Sequence, residues 1–403
     1  MSTQSSLPLF GAPPQTNSRG PAIFAKGFRP FFLLGALGAA VMVPLWMVFL
    51  FGSATAPSYL DAMSWHAHEM VFGFASAIVA GFLLTAVGNW TGRETATGTA
   101  LASLSALWIA GRFALVVPGL PKIVVAAIDI AFLPALAITI ARPLVATKNR
   151  RNLVMVLVLL ALLGANLAVH LDALGVITGG RRMGALLAVD VLVVLIAIIA
   201  GRVFPMFTKN ATNDASIRSH PRLDILAVIA LALVTVLDLA QVSGVTLAVV
   251  CAIAAVLSVA RSIHWGARSS VSNPMLWILH LAHAWIPLGL FLRTASAFDA
   301  HVPSALATHA LTAGAIGCAT IGMMARVSLG HTGRKIVASR TTVAAFLFML
   351  GAGVTRVVGP LLFVAAYREW LVVSTVLWSA AFVAFLAGYV PILVRPRIDG
   401  TSG

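Results

Sequence analysis

Long apolar runs broken by Gly, Pro, Asn and Arg recur along the chain, starting near residues 30, 64, 99, 121, 152, 183, 223, 245, 274, 302, 340 and 369. A helix rising about 1.5 Å per residue crosses a hydrocarbon layer of roughly 30 Å in about 20 residues. The pattern therefore predicts an all-α polytopic membrane protein with about twelve transmembrane helices. Short breaks at Val117-Pro118-Gly119 and Ser243-Gly244 predict tight hairpins joining the third span to the fourth and the seventh to the eighth. Residues 26–397 read as a single helical membrane domain. Residues 1–25, rich in Ser, Pro, Gln and Gly, read as a disordered cytosolic tail, and residues 398–403 as a C-terminal tail.

Composition agrees with this pattern. Of 403 residues, 60% are hydrophobic and only 10% charged, where a soluble domain carries roughly 25% charged residues. Lys and Arg concentrate in alternate loops, which by the positive-inside rule places both termini in the cytoplasm. The net charge of +15 follows from the same bias and does not point to nucleic acid as a partner; the partner is the lipid bilayer. The N-terminal tail lacks the basic start, apolar stretch and cleavage site of a signal peptide. Cys251 and Cys318 stand alone in apolar stretches, so neither a disulfide framework nor a thiolate zinc site is indicated. Cys-x-x-Cys-His is absent, so any haem would be held non-covalently.

The ionisable residues inside the apolar runs carry the functional signal, because each is costly in hydrocarbon unless paired, hydrated or bound to a metal. His66, His68 and Glu69 enter at the outer face in Trp65-His66-Ala67-His68-Glu69-Met70; His170 and His309 fall in the outer half as well. His280 and His283 share a face of the ninth span, His283 near mid-membrane, and are placed to extend this cluster inward. On an ideal helix His66 and His68 lie about 200° apart, so both cannot face one metal. His66 and Glu69 share a face, which suggests that Glu69 holds the His66 ring for a metal. Imidazole ligates both haem iron and copper, so His66, His68, His280, His283 and His309 are the candidate metal ligands, with His170 a further candidate for haem. Hydrogen bonding to a neighbouring helix is the bland alternative for each.

Arg112 and Asp129 fall at similar depth on hairpin-linked helices and are expected to pair. Asp190 lies in the outer half too, and Arg356 lacks a sequence partner and suits an anion such as a haem propionate. Gly73, Ala77 and Gly81, and Gly314, Cys318 and Gly322, form small-residue stripes that suit either helix packing or a cofactor slot. A second polar grouping recurs at cytoplasmic helix ends: Arg93 after Asn89-Trp90-Thr91-Gly92, Arg202 in Gly201-Arg202-Val203-Phe204-Pro205, and Arg326, His331 and Arg334 near Gly330. Anion or cofactor binding and ordinary turn chemistry with positive-inside anchoring both explain it.

At these residues the chain resembles the NnrS proteins, bacterial inner-membrane proteins linked to nitric oxide metabolism and containing haem and copper. The resemblance rests on Phe28-Arg29-Pro30-Phe31-Phe32, on Trp65 to Met70 with Phe72-Gly73-Phe74, and on Gly81-Phe82-Leu83-Leu84-Thr85-Ala86. It continues through Gly201 to Thr208, Leu279-His280 with Trp285-Ile286-Pro287-Leu288-Gly289, and Met324 to Arg334. It implies haem b and copper as cofactors, a role in nitric oxide response or detoxification, nitric oxide or a related small ligand as partner, and a membrane electron donor if there is redox turnover. Two other readings of the buried histidines and carboxylates are a proton-coupled secondary transporter and a protein that hands haem or copper to another complex. Two six-span halves show no internal repeat. Tyr59, Tyr367 and Tyr389 lie near span ends, and there is no adjacent His-His pair or His-Pro-Glu-Val-Tyr stretch, which argues against an oxygen-reducing haem–copper centre.

Overall fold

A computed structural model of the chain describes residues 20–55, 57–298 and 301–400. The N-terminal tail therefore lies outside the described residues up to residue 19, and the last three residues of the C-terminal tail do too. Among the described residues there are helices and no strands. Twelve long helices follow one another: α1 (Phe28–Leu50), α2 (Ala62–Thr91), α3 (Gly98–Ala114), α4 (Lys122–Ala146), α5 (Val154–Ala173), α6 (Gly180–Thr212), α7 (Pro221–Leu239), α8 (Val245–Ser262), α9 (Pro274–Phe298), α10 (Ser304–Gly330), α11 (Arg340–Leu362) and α12 (Tyr367–Val394). Ten have the length and apolarity to cross a membrane; the exceptions are α3, with 17 residues, and α7, which carries Arg222, Asp224 and Asp238. The multi-pass membrane fold predicted from the hydrophobic pattern is the fold found.

Successive helices pack on one another, and α12 returns onto α1 to close a ring. Arg29 fastens the closure. Its Nη1 donates to the carbonyls of Leu393 and Arg395 at 2.8 and 2.7 Å, satisfying acceptors that the end of α12 leaves free. Arg29 has no exposed surface, which accounts for the polar residue inside the Phe28-Arg29-Pro30-Phe31-Phe32 stretch.

Inside the ring sit α2, α6 and α10, which contact each other. They are the most enclosed of the apolar spans, at 83%, 67% and 67% buried. The helices α2 and α10 are built alike. Each begins with an α-helical segment ending at a histidine, His68 or His309, and then runs as a π-helix over Glu69–Ala75 or Ala310–Ile316. Each resumes as an α-helix and reaches a Thr-Gly-Arg sequence at the same distance beyond. Thr91 and Thr332 each bond back to the carbonyl four residues earlier, and the following Gly92 and Gly333 have positive φ. In α6, Thr208 makes the same backward bond near the cytoplasmic end. The likeness thus runs in steps of four helices, with the second helix of each group inside, which is why a division into two halves shows no repeat.

Small residues allow the inner helices their close contacts. A Cβ added at Gly184 would strike the carbonyl oxygen of Ala165, and one at Gly314 would meet the Trp285 ring. Both stripes noted in the sequence serve packing in this way: Gly81 receives Phe31 and Phe32, and Gly322 receives Leu279 and Ile278. Gly184→Leu is expected to destabilise the protein in detergent by at least about 1–3 kcal/mol, the usual cost of overpacking. Gly164→Ala, at a position with open space, is expected to leave the melting temperature unchanged. Equal melting of the two variants would contradict the α5–α6 packing.

Candidate functional site

Three foci of ionisable groups lie towards the outer ends of the inner helices, one per group of four. In each, the helix that follows the inner one brings a charged residue near its outer end: Arg112 on α3, Asp238 on α7 and Arg356 on α11.

The first focus joins α2, α3, α4 and α5. Arg112 pairs with Asp129, as expected, and lies 3.4 Å from Glu69. His170 Nε2 donates to Asp129 Oδ2 at 3.0 Å, and Asn166 Nδ2 donates to the same oxygen at 2.9 Å. His170 Nδ1 accepts from the Tyr59 hydroxyl at 2.7 Å. Burial and the Asp129 charge push the Tyr59 phenol up to about 12, so it remains a donor. His68 Nδ1 faces Glu69 Oε1 at 3.1 Å, and its Nε2 faces Asn166 Oδ1 at 3.1 Å and Asp129 Oδ2 at 3.3 Å. One proton shared between His68 Nδ1 and Glu69, with another on Nε2, completes these bonds. Two carboxylates are then balanced by Arg112 and His68, and the focus is neutral. His68, Asp129 and His170 lie close enough together to hold a metal ion, yet all four of their ring nitrogens are already engaged.

The second focus joins α6, α7 and α9. Arg293 Nη1 lies 3.4 Å from Asp190 Oδ1, and its Nη2 bonds both oxygens of Asp238.

The third focus joins α1, α2, α10 and α11. His66 stacks on Trp46 with ring centroids 4.0 Å apart, and its Nδ1 has no hydrogen-bond partner. His309 Nδ1 donates to the carbonyl of Ala305 at 2.6 Å, which leaves Nε2 as the ring's lone-pair nitrogen. Arg356, only 7% exposed, is close enough to act electrostatically on both imidazoles. Its Nη2 reaches the Tyr367 hydroxyl at 3.3 Å, while Nη1 has no partner. No carboxylate pairs with it among the described residues. His66 and His309 are both half-buried. The close packing of α2 on α10 involves Ser76–Thr91 and Gly317–Gly330.

Several expectations are redistributed by this geometry. His66 and His68 do serve different sites. Glu69, however, bonds His68 rather than His66: the backbone is α-helical up to Glu69, so the two do share a face, but the carboxylate turns to the adjacent ring. His280 and His283 do not extend the outer cluster: His280 Nε2 bonds Thr208 at 2.9 Å, and His283 Nε2 donates to the Ser258 carbonyl at 2.9 Å beside Trp265. The cytoplasmic candidates do not converge either. Arg93 is exposed, Arg202 bonds Asn152, Arg326 lies over Phe207, Arg334 bonds the Thr332 carbonyl, and Asn89 Nδ2 donates to His331 Nε2 at 3.4 Å. Sequence reasoning missed Tyr59, Trp46 and Asn166; a lone Asn within the apolar run of α5 was the available signal for the last.

Two measurements follow from these environments. Arg112→Met leaves two buried carboxylates short of a cation, so it is expected to cost about 3–5 kcal/mol, seen as a lower melting temperature. Adding Asp129→Asn is expected to restore part of the loss, and no loss in the single variant would contradict the pairing. His331 lies just beyond the end of α10, where burial and the charges of Lys26 and Arg397 push its imidazole down to about 4. The unfolded chain then binds the proton first as pH falls, so stability is complete above about pH 6.5 and declines towards pH 4. His331→Gln is expected to flatten that decline in a thermal-melting series, and an unchanged series would contradict this environment.

Among curated proteins none matches the chain. The family described as NnrS protein matches residues 22–397, from the turn before α1 to beyond α12. The chain belongs to the NnrS family.

Proposed function

We propose that this protein binds haem at the third focus, between α2 and α10, and there binds or processes nitric oxide in a bacterial inner membrane. Family membership makes it a nitric-oxide-linked membrane protein in general terms; the haem site is our reading of the geometry. One observation carries it. Arg356 is a buried guanidinium without a carboxylate partner among the described residues, near two imidazoles that each have a nitrogen not engaged in a hydrogen bond there. A lone cation in hydrocarbon calls for an anion, and a guanidinium fork matches a carboxylate such as a haem propionate.

The residues present suit haem. His309 would hold iron through Nε2, its tautomer fixed by the bond to Ala305. Stacking on Trp46 fixes the plane of the His66 ring, whose Nδ1 would be the second nitrogen donor. Arg356, steadied by Tyr367, would hold a propionate. When bound, haem iron supplies a centre that coordinates nitric oxide and exchanges electrons, the latter with a separate membrane donor. Nitric oxide is small and apolar, so a site within the bilayer region is accessible to it. Copper fits the described residues less well. At His68, Asp129 and His170 it would have to displace Asn166, Tyr59 and the proton shared with Glu69, and no step is derived through it.

The test is an absorption spectrum of the detergent-purified protein, oxidised and reduced, before and after nitric oxide. A Soret band that shifts with nitric oxide is expected. His66→Ala and His309→Ala are each expected to remove or strongly shift it while the protein still inserts. Arg356→Gln is expected to weaken haem retention by about tenfold, in keeping with loss of a charged hydrogen bond. A colourless protein after haem supplementation, or unchanged spectra in both histidine variants, would overturn the reading in favour of a proton-coupled transporter.

A further inference from the structure

We propose that Asp190 and Asp238 form an acid pair that binds one exchangeable proton, making the second focus a proton-binding site that communicates with the outer face. The site joins side chains from three helices in the outer half of the bundle. Asp190 on α6 is 7% exposed and lies ten residues into its helix, about 15 Å along the axis. Asp238 is next to the last residue of α7, with 12% of its side chain exposed, and is the pair's route to the surface. Arg293 on α9 bridges the two carboxyl groups. Cys251 on α8 lies within electrostatic reach and is the other titratable group at the focus.

The charge count sets the occupant. The two carboxylates share a single guanidinium, and among the described residues no further cation pairs with either. Fully ionised, the focus would carry one uncompensated negative charge in an apolar surrounding, an expensive state. Hydrogen-bond accounting points to the same deficit. Asp190 Oδ2 is buried with no donor, although Asp190 and Asp238 are held on the same guanidinium. Two carboxyl groups can bond only when one carries a proton. A single proton therefore supplies the missing bond and neutralises the focus.

A metal cation would not serve in its place. Both oxygens of Asp238 and Oδ1 of Asp190 face Arg293, which leaves only Asp190 Oδ2 free. Hard cations need several oxygen ligands, six to eight for calcium, and the guanidinium repels them. The exchange is balanced simply: the singly protonated pair, neutral together with Arg293, releases its proton through Asp238 to the outer aqueous face and leaves two carboxylates on Arg293, and uptake reverses this. The inference stands on the second focus alone and does not depend on haem.

Infrared difference spectroscopy of the full-length protein in detergent, with carbon-13-labelled aspartate, tests it. At neutral pH the protein is expected to show one protonated-carboxyl C=O band that shifts with the label and in deuterium oxide. The band is expected to disappear on titration to alkaline pH and in both Asp190→Asn and Asp238→Asn. Because the labelled wild type shows the band by itself, a variant that fails to insert does not remove the test. Absence of a label-sensitive protonated band in the wild type would overturn the proposal. So would a band that persists in both variants, or one that forms only when sodium is withdrawn, which would assign the site to a cation.

Discussion

Compensation of charge inside the apolar layer is the constraint on which this structure depends. A bundle of twelve apolar helices offers little water to isolated ions, so a buried charge is stabilised by a counter-charge on a neighbouring helix. That requirement ties sequence-distant segments together. Arg112 binds α3 to both Glu69 of α2 and Asp129 of α4, while Arg293 binds α9 to α6 and α7. Where the compensation is complete, as at the first focus, the result is a hydrogen-bonded lock running from Tyr59 to Glu69.

The three foci differ in how the balance is reached, and the differences suggest a division of labour. Two acids and two cationic groups close the first without a ligand. The second has two acids and one cation, a deficit the size of one proton. The third has a cation and no acid, near two imidazoles. A common four-helix plan, with the second helix inside and a charged residue on the third, has thus been filled with different side chains. The π-helical stretches Glu69–Ala75 and Ala310–Ile316 follow directly after His68 and His309. The extra residue per turn there resets which side chains face the neighbouring helices, and π-bulges are often found at functional sites.

Much of this was legible in the sequence, and the losses have physical causes. Span number, hairpins and the Arg112–Asp129 pair follow from hydropathy and helical rise, which depend on local composition. Helical phase placed Glu69 on the face of His66, but a shared face does not fix which way a side chain turns, and the carboxylate bonds His68 instead. Depth alone grouped His283 with the outer histidines, whereas a partner on α8, the Ser258 carbonyl, holds it apart from them. Backbone acceptors of this kind are invisible in a residue pattern. Asp190 and Arg293 are distant in sequence, so their encounter required the ring. The fourfold step of the repeat was hidden because it resides in helix geometry and a few terminal residues rather than in extended identity.

The central claim is that His66, His309 and Arg356 together hold an anionic, nitrogen-ligated planar group. An experimental density map of the protein purified from its native membrane tests this most directly. The account predicts planar density bounded by His66 and His309, with a carboxylate on Arg356. Direct contact between the two imidazoles, or a lipid chain between them, would contradict it.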